Sequence, residues 1–136
     1  MRYILDTNIV SALFVDGSRV IEKLATVTRR DVAVPQPVFA EIAYGLVRLP
    51  QSKRKHALLL RFELLRSTLA IAPWTDAVTN EFGAIKAELE RAGQRIEDFD
   101  AAIAAHARAH RSVLVTANTK HMQRVAGIEL ENWQSN

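Results

Sequence analysis

Three carboxylic acids and one amide, Asp6, Glu41, Asp100 and Asn118, fall just beyond a strand-like run or on the helix that follows one. If a parallel sheet gathers those segment ends at one edge, the acids share a small space. Two carboxylates about 4 Å apart repel by roughly 4 kcal/mol at an effective dielectric near 20, a large part of a domain's net stability. Relief comes from protonating one acid, as in a carboxylate dyad, or from a hard divalent cation. The second route leads to phosphodiester hydrolysis, because Mg²⁺ or Mn²⁺ lowers the pKa of a bound water and offsets charge developing on a phosphate. That chemistry requires no cysteine, serine or histidine nucleophile. Asn118 can hydrogen-bond a water or a phosphate but adds no charge, so this donor set holds a second cation less firmly than four acids would.

Each residue has an ordinary reading as well. Asp98 and Asp100 at a helix start can cap it and complement its dipole. Asp6 before Thr7-Asn8 can be a turn residue, and Glu41 a solvated helix acid. Only their joint placement around one sheet edge favours the chemical reading. For Asp98 the cap is the preferred assignment.

The elements that must position these residues are legible as short apolar runs. Tyr3-Ile4-Leu5, Val32-Ala33-Val34, Leu69-Ala70-Ile71-Ala72 and Val113-Leu114-Val115 read as buried strands, with Ile128-Glu129-Leu130 as a weaker fifth. Between them the period changes. Val38, Phe39, Ile42, Ala43 and Leu46 form one helical stripe, and Val78, Phe82, Ile85 and Leu89 another. Ser52 and Thr75 are placed as N-caps, Gly93 as a helix end, and Ala101 to Ala109 as a further helix. Alternating strands and helices predict a parallel sheet covered on both faces. Right-handed crossovers then align the strand carboxyl ends on one edge, where open α/β sheets bind ligands.

Composition sets the outer bounds. A chain of 136 residues with 49% hydrophobic content predicts a single domain, residues 1–136. Lys and Arg total 18 against 15 Asp and Glu, and the resulting charge of +3 favours a polyanionic partner only mildly. There is no cysteine, which removes disulfides and thiolate metal sites and suits a reducing cytoplasm. No signal-peptide or membrane-spanning run is present, so a soluble, cytoplasmic protein is expected. Neither G-x-G-x-x-G nor G-x-x-x-x-G-K-[ST] occurs, leaving dinucleotide and nucleoside-triphosphate binding without support.

Four ordered segments carry a family resemblance. They are Tyr3-Ile4-Leu5-Asp6-Thr7-Asn8-Ile9-Val10-Ser11, Ala40-Glu41-Ile42-Ala43-Tyr44-Gly45-Leu46, Asp98-Phe99-Asp100-Ala101-Ala102-Ile103-Ala104-Ala105-His106-Ala107, and Leu114-Val115-Thr116-Ala117-Asn118-Thr119. In these the chain resembles the PIN-domain ribonucleases, and specifically the VapC toxins of type II VapBC toxin-antitoxin pairs. The resemblance implies an α/β fold: a three-layer sandwich with a mostly parallel five-stranded sheet and helices on both faces. It implies a Mg²⁺- or Mn²⁺-dependent endoribonuclease, a VapB-type antitoxin as partner and a homodimer. By position, Asp6, Glu41 and Asp100 match the metal-binding acids. Thr116 and Asn118 match the last motif, where many PIN nucleases carry an aspartate.

Other candidates carry less. His106 and His110 stand four apart, a spacing that can bind zinc, but no zincin glutamate follows the first, and a surface or partner-facing position is expected. His56 and His121 are expected in solvent, with His121 able to approach phosphate. Lys53-Arg54-Lys55, Arg29-Arg30 and Lys120 with Arg124 read equally as phosphate contacts or solvated helix ends. Leu58 to Leu65 is apolar around most of a helix, which fits a subunit or antitoxin interface as well as plain burial. Trp74 and Trp133 read as core or interface rather than base-stacking residues. Two competing functions keep the fold and change the chemistry: a receiver-like phosphoacceptor module, and a catalytically silent RNA-binding relative.

Overall fold

Five short strands form one parallel sheet in the order β3-β2-β1-β4-β5. In this computed structural model, which describes residues 1–135, the strands are β1 (Tyr3–Leu5), β2 (Val32–Pro35), β3 (Ala70–Ala72), β4 (Val113–Val115) and β5 (Glu129–Glu131). Seven helices join them: α1 (Thr7–Ala12), α2 (Arg19–Leu24), α3 (Gln36–Val47), α4 (Lys53–Thr68), α5 (Asp76–Arg91), α6 (Asp98–His110) and α7 (Thr119–Met122). The expected three-layer α/β sandwich is found. In β1 and β4 successive residues point to opposite faces, and Ile4, Leu5, Leu114 and Val115 are all fully buried. Both faces of the central strands are therefore covered.

The edges are handled differently. β3 is largely exposed at Ala70 and Ile71, while β5 carries Glu129 and Glu131, charges that discourage pairing with a further strand. The fifth strand lies one residue later than the apolar pattern suggests, because its register is set by pairing Leu114 with Leu130. Among the described residues no helix is long and apolar enough to cross a membrane.

Helix boundaries follow local chemistry. Ser52 Oγ accepts from the Lys55 amide at 3.0 Å, and Thr75 Oγ1 from that of Val78 at 3.4 Å, so both caps are as expected. Gly93 takes φ 67° after α5 while the Gln94 amide reaches the Leu89 carbonyl, the double closure that ends a helix in the left-handed region. Pro35 closes β2 and serves as N-cap of α3, with Pro37 in its first turn where a missing N–H costs nothing. The short helices α1, α2 and α7 lack a long apolar stripe and were not legible in the periodicity.

The alanines of α6 decide the packing. Ala101, Ala102, Ala104, Ala105 and Ala107 are all buried, and their small size lets α6 lie close against β1, β4, α3 and α5. Arg108 fastens α6 to α5, giving a two-pronged pair with Glu88 (both contacts 3.1 Å) and a bond from Nε to Glu81. A fourth donor contact, to the Ala126 carbonyl at 3.1 Å, ties the segment before β5 to the same guanidinium.

Several residues stand elsewhere than the sequence suggests. His106 is not at the surface: it is 0% exposed, its Nδ1 lies 2.8 Å from the Ala102 carbonyl, and the edge of Trp74 packs on the ring. The α5–α6 contact is close enough to bury that whole face of the helix. Asp98 does not cap α6 through its side chain; the N-cap is Glu97, without a side-chain bond, and Asp98 pairs with Lys86 at 2.8 Å. Lys55 does not reach toward solvent but donates to the Val47 carbonyl at 3.0 Å, closing the end of α3. Trp133 is core, edge-on to Tyr3, whereas Trp74 is partly exposed and donates to Thr79 Oγ1 at 2.7 Å. On α4, Phe62 is buried while Leu60 and Leu64 are 61% and 65% exposed, so the excess apolar surface inferred from the sequence is real.

Candidate active site

The strand order places β1 at the centre, with the chain moving outward through β2 and β3 and then returning to β4 on the other side. The crevice at the carboxyl ends of β1 and β4 is thus the point where strand order reverses, the usual ligand position in an open α/β sheet. Asp6 follows β1 there directly. Its amide donates to the Val115 carbonyl at 2.9 Å, which continues the ladder and fixes the residue beside β4.

Asp6 is 2% exposed and its carboxylate is held from three sides. Oδ1 accepts from the Thr7 amide at 2.7 Å, so Asp6 is also the N-cap of α1. Oδ2 accepts from Thr116 Oγ1 at 2.8 Å and from Asn8 Nδ2 at 3.4 Å. Burial outweighs these bonds and raises its proton affinity above that of an ordinary aspartate. Asn8 Oδ1 accepts from the Ala117 amide at 2.9 Å, and Thr116 Oγ1 also accepts from the Asn118 amide at 2.9 Å. The two strand ends are thereby stitched together by side chains.

Glu41 comes from α3, whose buried face is Val38, Phe39, Ile42 and Leu46. It lies at the margin of that face, where its Oε1 accepts from Thr7 Oγ1 at 2.6 Å. Thr7 therefore links the first acid to the second: its amide serves Asp6 and its hydroxyl serves Glu41. Asp100 lies in the first turn of α6, half-buried. Its pKa is pushed up to about 6, chiefly by burial and then by the charges of Asp6, Glu41 and Glu97, with His121 opposing. Charges that act on one another in this way share one edge, and all three acids do.

Asn118 precedes α7 and lines the same crevice as Asp100. Around them is an open pocket of about 540 Å³ that also takes in Glu97, Arg95, His121 and Arg124. Thr7, Asn8 and Arg95 had no role assigned from the sequence. A threonine and an asparagine directly after a strand-ending aspartate were the available signal for the first two, since such residues bond local backbone and caps. Nothing local marks Arg95, which reaches the pocket only because the α5–α6 turn folds over this edge.

Could these residues hold a cation? All donors are hard oxygens, as Mg²⁺ and Mn²⁺ require. Among the described residues no three acidic or imidazole side chains stand together closely enough to hold a metal ion by themselves. A closed cage is not what Mg²⁺ requires: it keeps several waters and is bound through one or two carboxylates plus substrate phosphates. Burial first, and then the charges of Asp6, Glu41 and Glu97, raise the proton affinity of Asp100. The donor set fits.

Comparison with known proteins agrees with this geometry. The PIN domain family model matches residues 3–128. The chain is 34% identical to Ribonuclease VapC2 of Haemophilus influenzae over 135 residues, 98% of each chain. It is 27% identical to the tRNA(fMet)-specific endonuclease VapC of Shigella flexneri, again over 98% of both. Among solved structures, VapBC2 of Rickettsia felis bound to a DNA fragment from its promoter matches with a TM-score of 0.86 and 32% identity, over 98% of this chain and 99% of that one.

Proposed function

This chain belongs to the PIN-domain family, and within it to the VapC group, and from that premise we propose that it is an endoribonuclease toxin acting in the cytoplasm. It hydrolyses RNA phosphodiester bonds at the edge formed by Asp6, Glu41, Asp100 and Asn118, with Mg²⁺ or Mn²⁺ drawn to Asp6, Glu41 and Asp100 and completed by water and substrate phosphate. A VapB-type antitoxin restrains it. The observation that carries this reading is Asp100 standing in the electric field of both Asp6 and Glu41 at the strand-reversal point.

A divalent ion in this site acidifies water and offsets charge on the phosphate. The chain's own residues do the rest. Thr116, Asn8 and the Thr7 amide hold Asp6 in one orientation, so the carboxylate loses no freedom when ligand arrives. Thr7 does the same for Glu41. In the metal-free protein Asp100 has a raised proton affinity, and a cation beside it would favour its ionised form. Asn118 can donate an amide hydrogen to a phosphate oxygen without adding repulsion.

The family match and the strand order disfavour the receiver-like alternative. A receiver has the order 2-1-3-4-5, and here β3 runs into Pro73 with no acid. Exposed Tyr44 and Val47 on α3, with Leu60 and Leu64 on α4, support apolar docking of a second copy or of the antitoxin.

Incubating the native protein with bulk cellular RNA tests the reading. Cleavage is expected with Mn²⁺ or Mg²⁺, to be lost with a chelator and in Asp6→Asn. Equal cleavage in chelator would remove the metal; no cleavage with either ion would remove the nuclease. Growth arrest on expression, relieved by the small reading frame beside it, tests the toxin role.

A further inference from the structure

The pocket beside Asp100 is mixed in charge. Glu97 and Asp100 line it together with Arg95, His121 and Arg124. Among the described residues, none of these three cationic or imidazole groups has a carboxylate within 4.0 Å, although the ion pairs elsewhere in the molecule all do. Arg124 is instead held by a bond from Nη1 to the Arg95 carbonyl at 3.0 Å, which joins the loop before α6 to the segment after α7. Flexible arginines next to acids ordinarily close onto them. Here one is fastened to backbone and the other is left unpaired.

The acidic edge creates a difficulty for a polyanion. A cation among the acids offsets the phosphate being cleaved but not its neighbours along the strand, which would face the charges of Glu97 and Asp100. A strand of RNA entering this crevice needs fixed positive charge one phosphate away from the reacting bond. Arg95 and Arg124 supply it, with His121 beside them as a hydrogen-bonding group, from the adjoining walls of one pocket whose volume of about 540 Å³ admits a nucleotide.

We propose that Arg95 and Arg124, with His121 beside them, form a phosphate clamp that binds the RNA backbone next to the scissile bond. The proposal rests on the nuclease reading above and adds the residues that position its substrate. These are positioning residues: they grip a phosphate that does not react. The clamp is independent of sequence, since it touches backbone only. The other basic segments do not share this arrangement. Lys55 is used within the fold, and Lys53 and Arg54 lie on exposed α4, lining no part of this pocket.

The test is binding of a fluorescent oligouridylate of about 15 nucleotides to Asp100→Asn protein, which cannot turn it over, across a salt series. Adding Arg95→Ala and Arg124→Ala should weaken binding about tenfold or more at low salt. The slope of log affinity against log salt should become shallower by about 0.7, the value for one phosphate that the protein no longer neutralises. Lysine at both positions should restore most of the slope, and each variant should still melt cooperatively, with only the small fall expected from losing the Arg124 bond to the Arg95 carbonyl. In the native background the alanine pair should raise KM for RNA cleavage and leave kcat within about threefold.

Unchanged affinity in the alanine pair overturns the clamp, as does an equal loss from Lys53→Ala with Arg54→Ala. A loss confined to an acidic protein partner, with oligouridylate binding intact, overturns it too. If the native protein cuts no RNA while the alanine pair still abolishes oligouridylate binding, the clamp stands and the nuclease reading falls.

Discussion

Thr116 donates its hydroxyl hydrogen to Asp6 Oδ2 at 2.8 Å, joining the ends of β1 and β4 through residues 110 positions apart. Both side chains are buried, at 0% and 2% exposure, so neither can turn to water for a replacement partner.

Thr116→Val removes that donor and keeps the shape. The variant should lose about 1–3 kcal/mol, the cost of leaving a buried carboxylate short of a hydrogen bond. Thr116→Ser should recover most of it. Chemical denaturation at neutral pH reads the difference, and equal stability of the valine and native proteins would show that the bond contributes nothing.

Asp100→Asn should stabilise the protein without added metal at pH 7. The folded-state pKa of about 6 lies above the reference value of 3.8. The folded form therefore binds the proton more tightly, and this contribution is fully present below pH 3.8 and lost as pH rises through 6. Above that pH the ionised group opposes folding, by about 1–2 kcal/mol once screening at a half-buried position is allowed for. Melting temperatures of the two proteins should differ at pH 7 and converge toward pH 4. Saturating Mn²⁺ should shrink the gap at pH 7 by stabilising the native protein alone. A variant less stable than the parent at pH 7 would refute the repulsion.

His106 predicts the opposite slope. Burial, partly countered by the Ala102 carbonyl, lowers its pKa from 6.5, and its Nε2 has no partner among the described residues. The unfolded chain then binds the proton more readily. Stability is complete above pH 6.5 and falls as pH drops through the folded-state value. His106→Leu should flatten that decline below pH 6.5 and cost little at neutral pH, because the orphaned nitrogen goes with the ring. Urea midpoints at several pH values decide it; parallel curves would mean that His106 is not the titrating group.

Arg108→Lys should destabilise by about 2 kcal/mol. An ammonium cannot make the two-pronged contact to Glu88 while also serving Glu81 and the Ala126 carbonyl. The loss should appear in denaturation midpoints and in faster amide exchange along α5 and α6.

Arg111→Gly should act in the other direction. Arg111 ends α6 at φ 53°, ψ 40°, in the left-handed region, where its Cβ costs about 1 kcal/mol and glycine costs less. A rise in melting temperature of a few degrees is expected. No rise would indicate that contacts of the arginine side chain offset the backbone strain.

The strands β1, β2 and β4 were legible because each is buried on both faces and so reads as an unbroken apolar run. The caps at Ser52 and Thr75 and the glycine turn at Gly93 were legible because they depend on side-chain or backbone chemistry within a few residues. Helices α1, α2 and α7 were not, since four to six residues give too few turns for a period to show. His106 was misjudged for a related reason: a histidine every fourth residue looks the same whether its helix face meets water or another helix.

For the site, residue type and position relative to strand ends mark Asp6, Glu41, Asp100 and Asn118 as candidates. What they could not convey is which side chains hold which. The Thr7 bond to Glu41, the Thr116 bond to Asp6, and the meeting of Arg95 with Arg124 over one pocket join positions from 29 to 110 apart. Local sequence sets backbone propensity, burial pattern and the inventory of charges. Long-range hydrogen bonds and charge–charge distances depend on sheet order and on how closely α6 packs, and those are decided only when the whole core forms, because their energies fall away steeply with distances no local segment can define.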